Sequence, residues 1–109
     1  MNFDVEVTSL FKKQAKRLIK KYPSLKVEVD SLISGLIVNP EQGTSLGRGC
    51  FKIRLAIASK GKGKSGGARL ITHVQVVKQK VYLLSIFDKS EMQNLSDDEL
   101  KFLLSLIPD

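Results

Sequence analysis

Three apolar runs follow one another between Cys50 and Asp88, and no link between them has room for a crossover helix. "CFKIRLAIA" covers 50–58, "ARLITHVQVV" covers 68–77 and "VYLLSIFD" covers 81–88. Strands joined this closely pair antiparallel, because a parallel return needs a connection of about a dozen residues or more. A three-stranded meander is therefore fixed before any other element is considered. In its first strand Phe51, Ile53, Leu55 and Ile57 form an apolar face, and Lys52, Arg54, Ala56 and Ala58 form the opposite one.

The rest of the chain must cover that meander. Residues 2–8, "NFDVEVT", alternate apolar and polar positions and read as a half-buried strand that joins the same sheet. Ser9 is a candidate helix cap, and Leu10, Phe11, Ala15, Leu18, Ile19 and Tyr22 recur at helical spacing with Lys and Arg opposite. Pro23 ends that helix, since the residue before a proline avoids helical geometry. Ser24 is positioned to cap a second helix, with Leu25, Val29, Leu32, Ile33, Leu36 and Ile37 on its apolar stripe until Asn39-Pro40. "PEQGTSLGRG", 40–49, reads as a loop from its Gly, Pro and Ser content. Ser96 and Glu99 have capping-box spacing ahead of a short final helix. The predicted class is α+β, in the order β-α-α-β-β-β-α. An antiparallel sheet is covered by an N-terminal helical hairpin, with a short C-terminal helix, and residues 1–109 form one domain.

Charge is distributed unevenly. Between Gln42 and Phe87 there is no Asp or Glu, while nine bases occur there: Arg48, Lys52, Arg54, Lys60, Lys62, Lys64, Arg69, Lys78 and Lys80. A field of one sign over such a span attracts polyanions. "FKKQAKRLIKKY" in the first helix adds a second basic cluster, which alone is equally well a solvated face. The single cysteine, Cys50, allows no intramolecular disulfide and fits a reducing compartment. The N-terminus has acids where a secretory signal carries bases, and no apolar run spans a bilayer, so a cytoplasmic protein with no membrane contact is expected.

The densest charge, "SKGKGKSGGARLI" at 59–71, sits on glycine-rich backbone beside a core strand. A phosphate-binding loop of the Walker type needs G-x-x-x-x-G-K-[ST] leading into a helix. Gly63-Lys64-Ser65 supplies its end, but the first glycine would be residue 58, which is alanine, and a strand follows. The motif fails at both points, so nucleotide hydrolysis is not expected. A plain flexible loop is the bland reading. Against it, Lys52 and Arg54 share a strand face before the loop, Arg69 opens the strand after it, and Lys89 ends the next. In an antiparallel arrangement these meet at one end of the sheet, which is costly unless an anion binds there.

No carboxylate pair and no Ser-His-Asp set accompanies these cations, metal ligands are lacking, and no cofactor is expected. Phosphate chemistry on RNA needs neither, because RNA carries its own nucleophile in the 2′-OH. A protein need only orient it, assist proton transfer and stabilise charge on the phosphate. His73, the one histidine, shares the face of Arg69 and Gln75; such a residue is more often structural than catalytic.

The element order, "FKIRLAIASKGKGKSGGARLI" and "VYLLSIFDKSEMQNLSDDEL" together resemble the RelE/ParE toxin superfamily of type II toxin–antitoxin systems. The branch they look most like is the HigB-type toxins, which carry a similar arginine strand, Gly-Lys-rich loop, "GG-x-R" and "K-x-E". The resemblance spans the chain and is most specific from Phe51 to Leu95. It implies a RelE-like fold and a ribosome-dependent mRNA endonuclease (an mRNA interferase) that enters the A site of the 70S ribosome and cuts the codon there. A cognate, HigA-like antitoxin is implied as partner. Lys52 and Arg54 match the paired basic positions on the family's first central strand, Arg69 a phosphate-contacting arginine, and Lys89 the basic residue after the last strand. With His73 these are the candidate catalytic residues; Arg48, Lys60, Lys62 and Lys64 are candidate RNA contacts. RelE itself has a tyrosine six residues beyond the position of Lys89, where this chain has Leu95, so the proton acceptor is a lysine or His73, or the chemistry is weak. Two rival readings remain: a non-catalytic toxin of the ParE type acting on DNA gyrase, and an inactive toxin-like nucleic-acid-binding domain.

Overall fold

In a computed structural model, which describes residues 2–61, 63–92 and 94–108, the meander is the centre of a larger sheet. The chain runs β1 (Asp4–Val7), α1 (Ser9–Lys21), α2 (Leu25–Val38), β2 (Thr44–Gly47), β3 (Cys50–Leu55), β4 (Ala68–Gln75), β5 (Lys80–Asp88) and α3 (Asp97–Ser105). The five strands lie in the order β1-β5-β4-β3-β2. The β3–β4–β5 ladders and the β2–β3 ladder are antiparallel; β1 pairs parallel with β5. The sheet is thus mixed rather than wholly antiparallel.

Residues 40–49 depart from the loop expected there, because Thr44–Gly47 forms an edge strand against β3. Its composition is that of a turn, and pairing with Phe51 and Lys52, not propensity, makes it a strand. Gly47, Arg48 and Gly49 turn back with φ of 81°, 56° and 72°. Two expected helix caps also differ. Thr8, not Ser9, caps α1: its hydroxyl oxygen accepts from the Phe11 N–H at 3.2 Å and its O–H donates to the Leu83 carbonyl at 3.1 Å. Ser24 stands at the N-cap position of α2, but its backbone angles are αR and its side chain makes no capping bond. The Ser96–Glu99 capping box on α3 forms in both directions, at 3.0 and 3.1 Å.

One sheet face carries the helical hairpin. Phe11, Ala15 and Leu18 of α1 and Leu25, Val29, Leu32 and Leu36 of α2 pack on Ile53, Leu55, Leu70, Val74, Val81, Leu83 and Ile86. Full burial of a leucine in such a layer contributes roughly 1.5–3 kcal/mol. The opposite face is covered only in part. Leu100 and Leu103 of α3 pack on Cys50, Ile71, Tyr82, Leu84 and Phe87. The rest of that face stays open and holds the candidate site.

A bulge in β5 settles which side chains reach each face. Ile71 pairs with Ser85 and Thr72 with Leu83, so Leu84 is the extra residue. Leu83 and Ile86, three apart, consequently both enter the hairpin core. Without the bulge, period-2 alternation would put them on opposite faces. The same offset sends Asp88 to the hairpin side and Lys89 to the open side.

Candidate nucleic-acid interface

On the open half of the face, Lys52, Arg54, Arg69 and Lys89 line one cleft of about 430 Å³, together with Thr44 and Asn94. Each cation arrives by a separate device. Lys52 and Arg54 alternate outward along β3, opposite Ile71 and Arg69 of β4. Lys89 follows β5 directly, and its backbone N–H donates to the Gly67 carbonyl at 3.1 Å. Gly67 approaches so closely that a Cβ there would lie 1.9 Å from the Leu55 carbonyl oxygen, so only glycine closes the loop onto β3 at this point. No carboxylate lines the cleft among the described residues.

The two arginines lie directly across the β3–β4 ladder, and like charges so placed destabilise the pair. Arg54 is exposed, whereas Arg69 is buried at 5% exposure. The Arg69 guanidinium donates to the carbonyls of Lys64 at 2.9 Å, Ala68 at 3.1 Å and Ser65 at 3.1 Å. Burial, and then the neighbouring Arg54 charge, push its pKa below the usual arginine value. Arg69 therefore stitches the glycine-lysine loop to the sheet while contributing positive charge to the cleft floor.

The other candidates lie elsewhere. His73 shares the strand face of Arg69 but sits four residues along β4, roughly 13 Å away at strand rise. It lies between Cys50 and Tyr82 in the ladder, with its Nδ1 3.6 Å from the Cys50 sulfur. Burial lowers its pKa, partly opposed by backbone hydrogen bonds at Arg48 and Gly49. Burial also pushes the Cys50 thiol up to about 11, with the Arg48 charge acting in the other direction. Arg48, at the hairpin tip, forms an ion pair with Asp97 at 3.2 Å and so ties the tip to the start of α3. Lys60 turns inward to Asp88. Lys64 lines a neighbouring groove of about 220 Å³ beside Arg54 and α2. Lys62 falls outside the described residues. Leu95 packs into the α3 cluster. Sequence reasoning missed Thr44 and Asn94; Thr44 reaches the cleft only because β2 pairs it with Lys52, which nothing in its local sequence announces.

The chain matches, over residues 5–107, the family model described as the RelE toxin of the RelE/RelB toxin–antitoxin system. The chain belongs to the RelE toxin family. Its fold is also similar to that of a doubly substituted E. coli toxin RelE solved in the free state. That match has a TM-score of 0.60 at 15% identity and covers 97% of this chain and 94% of that one. The mixed α+β architecture is thus the RelE fold. Membership makes this chain a toxin of a toxin–antitoxin pair, with an antitoxin as its partner. Among the described residues no helix is long and apolar enough to cross a membrane.

Proposed function

We propose that this RelE-family toxin is a ribosome-dependent endoribonuclease that cuts mRNA in the A site, acting in the cytoplasm under the control of a HigA-like antitoxin. The observation that carries this reading is the convergence of Lys52, Arg54, Arg69 and Lys89 on one cleft with no acid among its described lining. In the step envisaged, the ribose 2′-oxygen loses its proton and bonds to the adjacent phosphorus. The bond from phosphorus to the 5′-oxygen breaks, and that oxygen takes up a proton. A 2′,3′-cyclic phosphate and a 5′-hydroxyl result.

Arg54 and Arg69 neutralise the phosphate as charge builds on its oxygens. A guanidinium does not give up its proton in a protein, which leaves Lys52 and Lys89 as the cleft groups able to carry one. The roughly 13 Å between His73 and Arg69 argues against the histidine in that role. Thr44 and Asn94 supply neutral hydrogen-bonding groups beside the cations. The HigB-type branch remains the reading of the glycine-lysine loop.

Leu95 favours a second reading, a non-catalytic toxin of the ParE type, because a leucine packed under α3 offers no phenol to the cleft. Controlled expression in bacteria with mapping of mRNA 5′ ends separates the two. Cuts inside translated codons that vanish when translation is blocked are expected. Growth arrest without cuts would transfer the case to a gyrase-type target. The diagnostic variant is Arg54→Ala and not Arg69→Ala, because Arg69 also holds the loop.

A further inference from the structure

The described residues of the glycine-lysine loop are far more constrained than its composition suggests. Ala58–Lys60 and Gly63–Gly66 are each single turns of 3-10 helix, and Gly61 and Gly63 adopt φ of 63° and 58°. One end of the loop is held by Arg69, as described. The other is held by a buried carboxylate. Asp88, 2% exposed, accepts from the Lys60 ammonium at 2.6 Å, from the Tyr22 hydroxyl at 3.3 Å and from the Ser90 backbone N–H at 3.0 Å. The Lys60 ammonium also lies 5.6 Å from the centre of the Tyr22 ring. Burial opposes the charge on Asp88, but hydrogen bonds from Lys60 and Ser90 outweigh it and hold its pKa below the ordinary carboxyl value.

We propose that Asp88 is a positioning residue: with Lys60 and Tyr22 it latches the Ser59–Gly66 loop to α1 and to the end of β5, and so fixes where the cleft cations stand. The connection to the cleft is short. Asp88 precedes Lys89 in the chain, and the Lys89 N–H holds the Gly67 carbonyl where the loop returns to the sheet. The Arg69 guanidinium binds carbonyls of the same loop at Lys64 and Ser65. Releasing Lys60 therefore loosens the frame behind both Arg69 and Lys89 without removing any cleft side chain. The latch also explains the carboxylate at the C-terminal border of the acid-free span. The bulge turns Asp88 to the hairpin side, where its charge is paired and does not cancel the field of the cleft.

The catalytic half of this proposal rests on the endonuclease reading; the structural half does not. The test compares wild type, Asp88→Asn, Lys60→Met and the double variant. Hydrogen exchange is expected to accelerate tenfold or more at the amides of Lys60, Gly61, Gly67 and Lys89 in every variant, while the β4–β5 ladder amides keep their protection. On programmed ribosomes, the single-turnover cleavage rate is expected to fall at least tenfold with ribosome affinity within about twofold. The double variant should be no slower than the worse single one. If Asp88→Asn does not fold, Lys60→Met reads the same exchange from the other side of the pair. Unchanged loop exchange in the folded variants overturns the latch. A loop that opens while cleavage keeps its rate overturns the positioning role. A wild type that cuts no RNA removes the endonuclease reading and leaves the latch to be decided by exchange alone.

Discussion

The molecule carries two positive regions, and they differ in how the backbone aims their charges. On α1, Lys12, Lys13, Lys16, Arg17, Lys20 and Lys21 are all exposed on the side away from Phe11, Ala15 and Leu18. A helix fans such side chains outward over a convex surface. Of these, Arg17 pairs with Glu91 at 3.2 Å and Lys21 lies 5.3 Å from the Tyr22 ring centre. In the cleft, four cations from β3, β4 and the end of β5 point toward one concavity. The helix has more charge, yet the cleft gathers its charge at one place. Dispersed charge attracts a polyanion anywhere along its length, whereas converging charge selects one phosphate and stabilises it at one position.

The largest expected effect comes from Arg54. It is exposed, so Arg54→Ala should leave thermal stability nearly intact while single-turnover mRNA cleavage falls by about 10²–10³-fold. A variant as fast as wild type would break the comparison, because convergence would then have no chemical consequence. Next comes Arg69→Ala, which strands the Lys64 and Ser65 carbonyls as well as removing charge. A loss of about 1–3 kcal/mol in urea unfolding should accompany its loss of activity. Activity lost with stability unchanged would make Arg69 a substrate contact alone.

The helix should behave differently. Replacing Lys12, Lys13 and Lys16 together by Gln should make the log–log salt dependence of ribosome binding shallower by about 2, with the cleavage rate at saturating ribosome unchanged. A fall in that rate comparable to the Arg54→Ala result would erase the distinction between the two regions.

The smallest effect concerns the covered end of the cleft's own face. Partial burial pushes the His73 pKa below the ordinary 6.5. As the pH falls through about 6.5 the unfolded chain takes up more proton at this site than the native chain, so stability falls on acidification through that window. His73→Gln should flatten the trend in urea midpoints between pH 8 and pH 5.5. An identical slope in both proteins would show that the imidazole titrates freely, contrary to its packing against Cys50.

Much of this was legible in the sequence because it depends on local pattern. The apolar stripe on α1, the Ser96–Glu99 capping box and the alternation in β3 follow from spacings of three or four residues and of two. The basic cleft was legible for a related reason. Lys52 and Arg54 sit two apart on a strand, and Arg69 opens a partner joined by a short link, so the meander dictates that they meet. Other features depended on contacts distant in the chain. Thr44–Gly47 has turn composition and becomes a strand only against β3. Thr8 outcompetes Ser9 as the cap of α1 because its hydroxyl also reaches the Leu83 carbonyl. Lys60 looked like one more loop cation, yet it is drawn inward by a carboxylate 28 residues away.

By itself, then, the sequence determined the meander, the helical hairpin, the sign of the field and the cations that share a strand face, since each follows from short-range periodicity and composition. Tertiary structure alone decided which cations stay available. The β5 bulge is the clearest case: one extra residue, Leu84, inverts the alternation beyond it. Asp88 is thereby buried against Tyr22 and Lys60, and Lys89 is delivered to the cleft. Side-chain period in a strand is two, so a single inserted residue exchanges the faces of everything after it, and only the packing of Leu83 and Ile86 into one core selects that insertion.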